Sequence, residues 1–487
     1  MSSYLGDTTL ASADMIFQNI RSVHFVGICG TAMASAAAAM QEKGFRVTGS
    51  DQSIYPPMST FLGDRKIEVM SGYSEQNLRP EPDLVVIGNA ISRGNPEAEA
   101  ILDQKLRYCS LPELLKEFFI RGKRSLVVAG THGKTTTTSL LTWVFEHNGR
   151  NPSYLIGGIP NNFGQGARFT ESQWFIIEGD EYDTAFFDKR SKFVHYLPEV
   201  VVANNLEFDH ADIFENVGAI QTSFQRLFNL IPRNGLLLAN GDDVHLAPLL
   251  RINHCPIQRF GFSDGNHFRV TTLKLGAEMS EFQLLVPPSG ASTRVFRIPL
   301  VGEVNVRNAL AVVACARHCG LSEAEIQSAF DTFTGIKRRM EIRGESGGVT
   351  VVDDFGHHPT AIRETVRALR VKFPGQRIWA IFEPRSNTTR RQIFQTELAQ
   401  ALGLADAIVV SEIARLELLA PHERLNPAQL MRDLQTAGKP SAYLPTVESI
   451  VEHVALAARP ADVICVFSNG GFGGIHSKLL ERLSGND

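Results

Sequence analysis

The run G-T-H-G-K-T-T at 130–136 constrains this chain more than any other stretch. Ahead of it stand Leu126, Val127, Val128 and Ala129, an apolar run that predicts a buried parallel strand, and behind it 137–147 predicts a helix. Strand, glycine loop, Lys-Thr and helix is the layout of a phosphate-binding loop. Gly130 and Gly133 let backbone N–H groups turn toward an anion. Lys134 brings a point charge for β- and γ-phosphates, and the Thr135 hydroxyl is placed to ligate Mg²⁺. The usual eight-residue form has a glycine where this chain has Val128. A bare glycine turn between strand and helix is the competing reading. It gives no reason for a Lys-Thr pair directly after the second glycine.

A chain of 487 residues has room for about three domains. Apolar residues make up 43% and charged residues 21%, which suits packed cores rather than disorder. The net charge of −4, without a long basic block, argues against nucleic acid as the main partner. The six cysteines are scattered; Cys315 and Cys319, four apart in an apolar segment, read as buried thiols rather than metal ligands. That usage points to a reducing, cytoplasmic setting. No basic stretch followed by an apolar one opens the chain, and no apolar run approaches the ~20 residues of a membrane helix.

Taken in order, 22–27 predicts a strand, Gly27-Ile28-Cys29-Gly30 a turn, 31–43 an alanine-rich helix beginning at Thr31, and 45–48 a second strand. This βαβ start puts a glycine turn at a helix N-terminus, suited to a pyrophosphate, although G-x-x-G serves a tight turn equally well. Asp51 follows about 20 residues on, where an acidic group can meet a ribose or uracil. Tyr55, Pro56 and Pro57 predict a break over 55–60 with no regular helix. A strand at 83–88 and a helix from Pro96 complete an α/β unit ending near Gly122. Beyond the phosphate loop, strands at 174–177 and 200–203 lead into Glu178-Gly179-Asp180-Glu181 and into 204–210. Ligands bind at the carboxyl ends of parallel strands, so Glu178 and His210 are expected beside Lys134. The region 267–300 predicts an antiparallel accessory sheet. Asn305 and Asn308 open a helix with both side chains on one face, where simple capping is the alternative. After Lys337-Arg338-Arg339 the α/β rhythm restarts, with strands at 349–352, 378–382, 407–410 and 463–467 and helices at 359–371, 390–402 and 427–436. Its strand ends carry polar loops at 353–358, 383–387 and 468–471.

G-T-H-G-K-T-T, the Glu178 and His210 loops, the Asn305/Asn308 pair, Arg339-Met340-Glu341 and Asp354-Phe355-Gly356-His357 together resemble the Mur ligases, in order and over essentially the whole chain. His132 and the opening 24–30 resemble the branch acting on UDP-N-acetylmuramate. The stretches 49–60, 180–196, 204–214 and 468–476 resemble members of that branch that add a tripeptide rather than L-alanine.

The resemblance implies three α/β domains. A Rossmann-like UDP-sugar domain is expected at 1–121, a P-loop-type ATPase domain with a parallel sheet plus a small antiparallel sheet at 122–336, and a Rossmann-like peptide domain at 337–487. It implies an ATP-dependent amide ligase joining UDP-N-acetylmuramate to L-alanyl-γ-D-glutamyl-meso-diaminopimelate, with Mg²⁺, as a monomer or weak homo-oligomer. ATP is expected at Gly130, Thr131, His132, Gly133, Lys134, Thr135, Thr136, Asn305, Asn308, Arg339 and Asp354. The UDP-sugar falls to Gly27, Ile28, Cys29, Gly30, Thr31 and Asp51, and the peptide to Arg385, Asn387 and Asn469. Lys134, Glu178 and His210 are the catalytic set, and Thr135, Glu178 and His210 the metal set. Arg390, Arg391 and Arg415 are weaker peptide candidates. Val304 departs from a family pattern that often has histidine, so no adenine contact is assigned to it. No lysine occurs between Lys192 and Lys274, so the carbamylated lysine of several family members is not expected. Alternatives are the ligase for free L-alanine, a folylpolyglutamate synthase-like enzyme that would not need the first domain, and a catalytically dead nucleotide-binding regulator.

Overall fold

Three large sheets carry the polar loops. The structure, a computed structural model, describes residues 15–286, 291–292, 294–414 and 416–485; Pro287, Pro288 and Arg415 lie outside the described residues. The described part of the chain divides into two compact units. The first holds residues up to Arg124 together with Ala167–Gln173 and Tyr182–Leu197. The second holds Ser125–Gly166, Trp174–Glu181 and the described residues from Pro198 onward.

In the first unit five strands run in the order Glu68–Ser71, Arg46–Asp51, Ser22–Val26, Leu84–Ile87, Tyr108–Ser110. All the pairs are parallel. The strand order reverses at Ser22–Val26, so the turn after it lies at the switch point where such sheets bind ligands. Helix Thr31–Glu42 follows, its alanine face buried. A short helix, Met58–Asp64, occupies part of the stretch expected to be irregular. Pro57 is its N-cap, a position that needs no backbone N–H inside the helix.

In the second unit strand Arg124–Ala129 lies between Pro198–Ala203 and Trp174–Gly179. These strands are apolar and almost wholly buried, as a sheet covered on both faces requires. Helices Lys134–His147 and Glu303–His318 pack on one face, joining Leu140, Val144, Leu310 and Cys315 in a single core with the strands. The antiparallel set expected at 267–300 is present as Phe268–Leu275, Ser280–Val286, Ala291–Ser292 and Phe296–Ile298. It extends the main sheet, because Phe268–Leu275 pairs parallel with Ile257–Gly261.

The third sheet has the order Glu341–Ser346, Val349–Asp354, Val463–Phe467, Ile378–Phe382, Ala407–Ser411, Ser441–Leu444. Only Glu341–Ser346 is antiparallel. This edge strand was not expected, since its polar sequence lacks an apolar face. The helix expected at 390–402 is a 3₁₀ turn, Gln392–Phe394, followed by helix Gln395–Leu402. No helix among the described residues is long and apolar enough to cross a membrane.

Candidate active site

The loop at 130–136 leaves the buried strand Arg124–Ala129 and turns into helix Lys134–His147 through two glycines with left-handed or related backbone, Gly130 (φ +149°) and Gly133 (φ +75°). Gly133 is the N-cap, and no side chain caps the helix. The first-turn amides therefore keep their donor capacity for an anion. A methyl group at Gly133 would stand 2.5 Å from Asn308 Oδ1, so glycine is needed for space as well as for φ. Asn205 clamps the loop, accepting from the His132 N–H at 2.8 Å and donating to the His132 carbonyl at 3.0 Å.

Behind the loop lies a buried charge cluster. Lys134 Nζ donates to both carboxylate oxygens of Glu181, at 2.8 and 3.1 Å, and Glu181 Oε1 stands 3.0 Å from His210 Nε2. Glu181, absent from the residues expected from sequence, thus joins two that were. Burial would raise its carboxyl, but Lys134 and His210 outweigh that and hold it at about 2. Burial alone would push the His210 imidazole down; the hydrogen bond to Glu181 and the charge of Asp209 raise it instead. Lys134 is likewise raised, its burial outweighed by Glu181, Asp180 and Glu178. His210 takes a left-handed backbone, φ +55°, which turns its ring toward Glu181.

Glu178 belongs to a second group. Its Oε1 accepts from the Thr135 hydroxyl at 2.9 Å, and its Oε2 accepts from Gly157 N at 2.7 Å. Burial and the neighbouring Asp180 raise the Glu178 carboxyl. Arg339 Nη2 donates to the same Thr135 hydroxyl at 3.1 Å. Thr135 and Glu178 are therefore adjacent, whereas His210 meets Glu181 rather than Glu178.

A cleft of about 650 Å³ opens beside the loop. Its lining includes His132, Gly133, Thr136, Asn305, Asn308, Arg339 and Asp354. Asn308 is oriented through Asn305, which in turn donates to the Val301 carbonyl at 2.8 Å. Val304 also lines this cleft. Asp354 is buried and pins the chain at the junction: it accepts from Met340 N at 2.9 Å and from Gly356 N at 2.8 Å. Two residues before Met340, Arg338 donates to the carbonyls of Ser468 and Gly470 at 2.7 and 2.8 Å and pairs with Asp353 at 3.3 Å. Arg338 and Met340 both have left-handed backbone, φ +62° and +49°.

At the strand ends of the third sheet, Arg385 is 56% exposed, its nearest carboxylate Glu383 at 3.7 Å. It lies against Gly470, where a Cβ would come within 2.7 Å of its side chain. Asn387 donates to Asp212 at 2.7 Å, and Arg390 donates to Asn387. Asn469 Oδ1 is buried without a hydrogen-bond partner in the structure.

In the first unit the expected nucleotide turn is held from within. Gly27 N and Ile28 N donate to the Ser50 carbonyl, at 2.8 and 3.1 Å, and Asp51 accepts from Cys29 N and Ser53 N, each at 2.9 Å. Gly30 is the N-cap of the helix that starts at Thr31, again without a side-chain cap. Glu97, wholly buried and unforeseen, supports this turn by accepting from Ser50 Oγ at 2.5 Å and Asn77 Nδ2 at 2.6 Å, with His24 at 3.5 Å.

Fold and cleft together define a nucleotide-dependent α/β enzyme. Comparison with known proteins narrows this: the chain belongs to the Mur ligase family, matching the family's catalytic domain over 22–123, the Mur ligase middle domain over 128–316 and the Mur ligase glutamate ligase domain over 338–470. It is 43% identical to the UDP-N-acetylmuramate–L-alanyl-γ-D-glutamyl-meso-2,6-diaminoheptandioate ligase of Escherichia coli (strain K12), over 95% of this chain and 98% of that one. It is 31% identical to the UDP-N-acetylmuramate–L-alanine ligase of Acetivibrio thermocellus, over 92% and 93%. The crystal structure of a murein peptide ligase from Psychrobacter arcticus superimposes with a TM-score of 0.71 at 36% identity, covering 95% of this chain and 99% of that one.

Proposed function

We propose that this ligase uses ATP to join the lactyl carboxylate of UDP-N-acetylmuramate to the amino group of L-alanyl-γ-D-glutamyl-meso-diaminopimelate, as in the recycling of murein. The full-length likeness to the tripeptide ligase, 43% against 31% for the L-alanine ligase, is what carries the reading. On it, 1–121 binds the UDP-sugar, 122–336 binds ATP and 337–487 binds the peptide.

A carboxylate cannot acylate an amine until one oxygen becomes a leaving group. Attack of the muramate carboxylate on the γ-phosphate of ATP yields ADP and an acyl phosphate. The alanyl amine then attacks the carbonyl carbon, and phosphate leaves from the tetrahedral intermediate. Every partner but the amine is anionic, so positioning and charge neutralisation carry the work. Lys134 supplies a cation already fixed in place. Glu181 holds it as a charged ammonium and His210 holds Glu181, which pre-organises the group. Arg339 adds a second cation beside Thr135. Asn305, Asn308 and Asp354 face the nucleotide from the cleft wall. An α-amine near pKa 8 needs little help to lose its proton.

Thr135 and Glu178 fit Mg²⁺. A hydroxyl and a carboxylate oxygen lie side by side, and burial and Asp180 together outweigh Lys134 and Arg339 in raising the Glu178 carboxyl, so a further cation there is favourable. His210 fits less well, because its Nε2 already meets Glu181. When bound, the ion would neutralise phosphate oxygens as charge develops on them.

The peptide edge calls for cations able to hold carboxylates in two-point contacts. Arg385, more than half exposed and with Glu383 no nearer than 3.7 Å, supplies one. Asn469 offers a buried, unpartnered amide oxygen, which can accept from an N–H of the peptide. The test is ADP formation with UDP-N-acetylmuramate, offered free L-alanine in one reaction and the tripeptide in another. Turnover is expected with the tripeptide. Preference for L-alanine would place the chain in the other branch, and ADP release that ignores both acceptors would make it a nucleotide-binding regulator.

A further inference from the structure

Three metal-ligating side chains from three separate segments meet at the edge of the cleft. His132 lies in the phosphate loop, Glu207 follows strand Pro198–Ala203, and His358 is the N-cap of helix Pro359–Lys372. His132 Nε2 stands 3.4 Å from Glu207 Oε2, and His358 Nδ1 stands 3.6 Å from the same oxygen. All three donor atoms lie within 4.8 Å of one another. Around a tetrahedral zinc ion with bonds of about 2.0–2.1 Å, neighbouring ligand atoms are about 3.3 Å apart. Two of the three separations, 3.4 and 3.6 Å, are therefore close to coordination spacing.

The hydrogen bonds around the cluster select the ligating form of His358. Its Nε2 faces the Phe208 carbonyl at 3.1 Å, an acceptor, so the proton sits on Nε2 and Nδ1 keeps its lone pair, 3.6 Å from Glu207 Oε2. A ligating imidazole whose other N–H is held by a backbone carbonyl recurs in metal sites, where it fixes the ring and its tautomer. Glu207 is oriented the same way: the Thr360 hydroxyl donates to its Oε2 at 2.6 Å. The His358 Nδ1 lone pair accepts from the Thr360 N–H at 3.2 Å as the helix cap, a hydrogen bond that an ion would have to displace. His132 and Glu207 also line the open cleft, which leaves a fourth position to water or to an anionic oxygen.

We propose that His132, Glu207 and His358 form a site for a divalent transition ion of the zinc class, separate from the magnesium position at Thr135 and Glu178. Two imidazoles and one carboxylate suit zinc or nickel, whereas magnesium prefers an all-oxygen shell. An ion held there ties the start of helix Pro359–Lys372 to the phosphate loop. The proposal stands apart from the assignment of the ligated substrates.

The test uses the full chain, stripped by a chelator, kept in excess Mg²⁺ without nucleotide, and titrated with Zn²⁺ by calorimetry. One ion per chain is expected. Glu207→Gln should weaken binding by at least about 10- to 100-fold. His358→Asn should do the same while keeping an N-cap, since asparagine caps helices well. Glu178→Gln should leave zinc affinity unchanged. Zinc X-ray absorption on the wild type should show two imidazoles, oxygen and no sulfur, a readout that holds even if a variant fails to fold. No uptake in excess Mg²⁺, affinity indifferent to both substitutions, sulfur ligation or fewer than two imidazoles would each overturn the proposal.

Discussion

Replacing Gly133 by alanine tests whether the phosphate loop is shaped as described. The substitution carries two costs. Gly133 has φ +75°, and an L-residue in the left-handed region costs about 1–2 kcal/mol. The added Cβ would also stand 2.5 Å from Asn308 Oδ1 and 3.3 Å from its Cγ. Asn308 is buried, so its side chain must leave its contact with Asn305, an overpacking cost of about 1–3 kcal/mol. Gly133→Ala is therefore expected to lose about 2–5 kcal/mol. Asn308→Ala removes the obstacle but not the backbone term. The double variant should then be more stable than the two single losses predict, by about 1–3 kcal/mol. Urea unfolding followed by tryptophan fluorescence reports on this unit, because Trp143, Trp174 and Trp379 all lie in it. ATP affinity by calorimetry should fall in Gly133→Ala and recover only partly in the double variant. Simple additivity would show that the Asn308 contact is not the obstacle. A Gly133→Ala protein as stable as wild type would refute the left-handed loop itself.

Lys134→Ala should cost on the order of 10²–10³ in ligation rate while UDP-sugar binding, measured by calorimetry, is nearly unchanged; near-normal turnover would remove Lys134 from the mechanism. Glu181 is held at about 2 rather than 4.5, so its stabilisation is present above pH 4.5 and lost as pH falls toward 2. Glu181→Gln should accordingly cost about 3 kcal/mol at pH 7 and much less at pH 3, and urea midpoints that differ equally at both pH values would contradict this. With no lysine between Lys192 and Lys274, added bicarbonate should leave the rate unchanged, and a bicarbonate-dependent rate would reveal a carbamylated lysine from elsewhere in the chain. Arg385→Ala should raise the tripeptide KM by an amount worth roughly 1.5–3 kcal/mol with little effect on the KM for ATP; unchanged peptide KM would free Arg385 of that role.

Local pattern carried far in this chain, and its reach ended where contacts are distant. The phosphate loop, its strand and its helix were legible because the signal sits within some twenty residues. Asn308 beside Gly133 was also legible in part, since one helical face was enough to pair it with Asn305. Glu178 was foreseen at a strand end, but Glu181 three residues later was not. Spacing cannot tell which of the acids at Glu178, Asp180 and Glu181 turns under the lysine, because strand Trp174–Gly179 has ended by then. Glu97 and His24 lie 73 positions apart, and nothing local marks either as half of a buried pair. The helix at Met58–Asp64 was masked by two prolines read as breakers, although a proline at a helix start is a signal in its own right. Strand Glu341–Ser346 escaped because an edge strand with a bulge need not alternate.

The junction at 338–340 sets how much slack the molecule has. Arg338 grips the Ser468 and Gly470 carbonyls, in the loop against which Arg385 lies, while Arg339 grips the Thr135 hydroxyl. A ligand that competes for that hydroxyl shifts Arg339, which is one peptide bond away from an anchored residue. Left-handed backbone at Arg338 and Met340 leaves little torsional play to absorb that shift. The linkage therefore behaves as a rigid coupling rather than a tether. Two extra residues between Arg338 and Arg339 would turn it into a slipping clutch, with both ends intact and no motion passed between them.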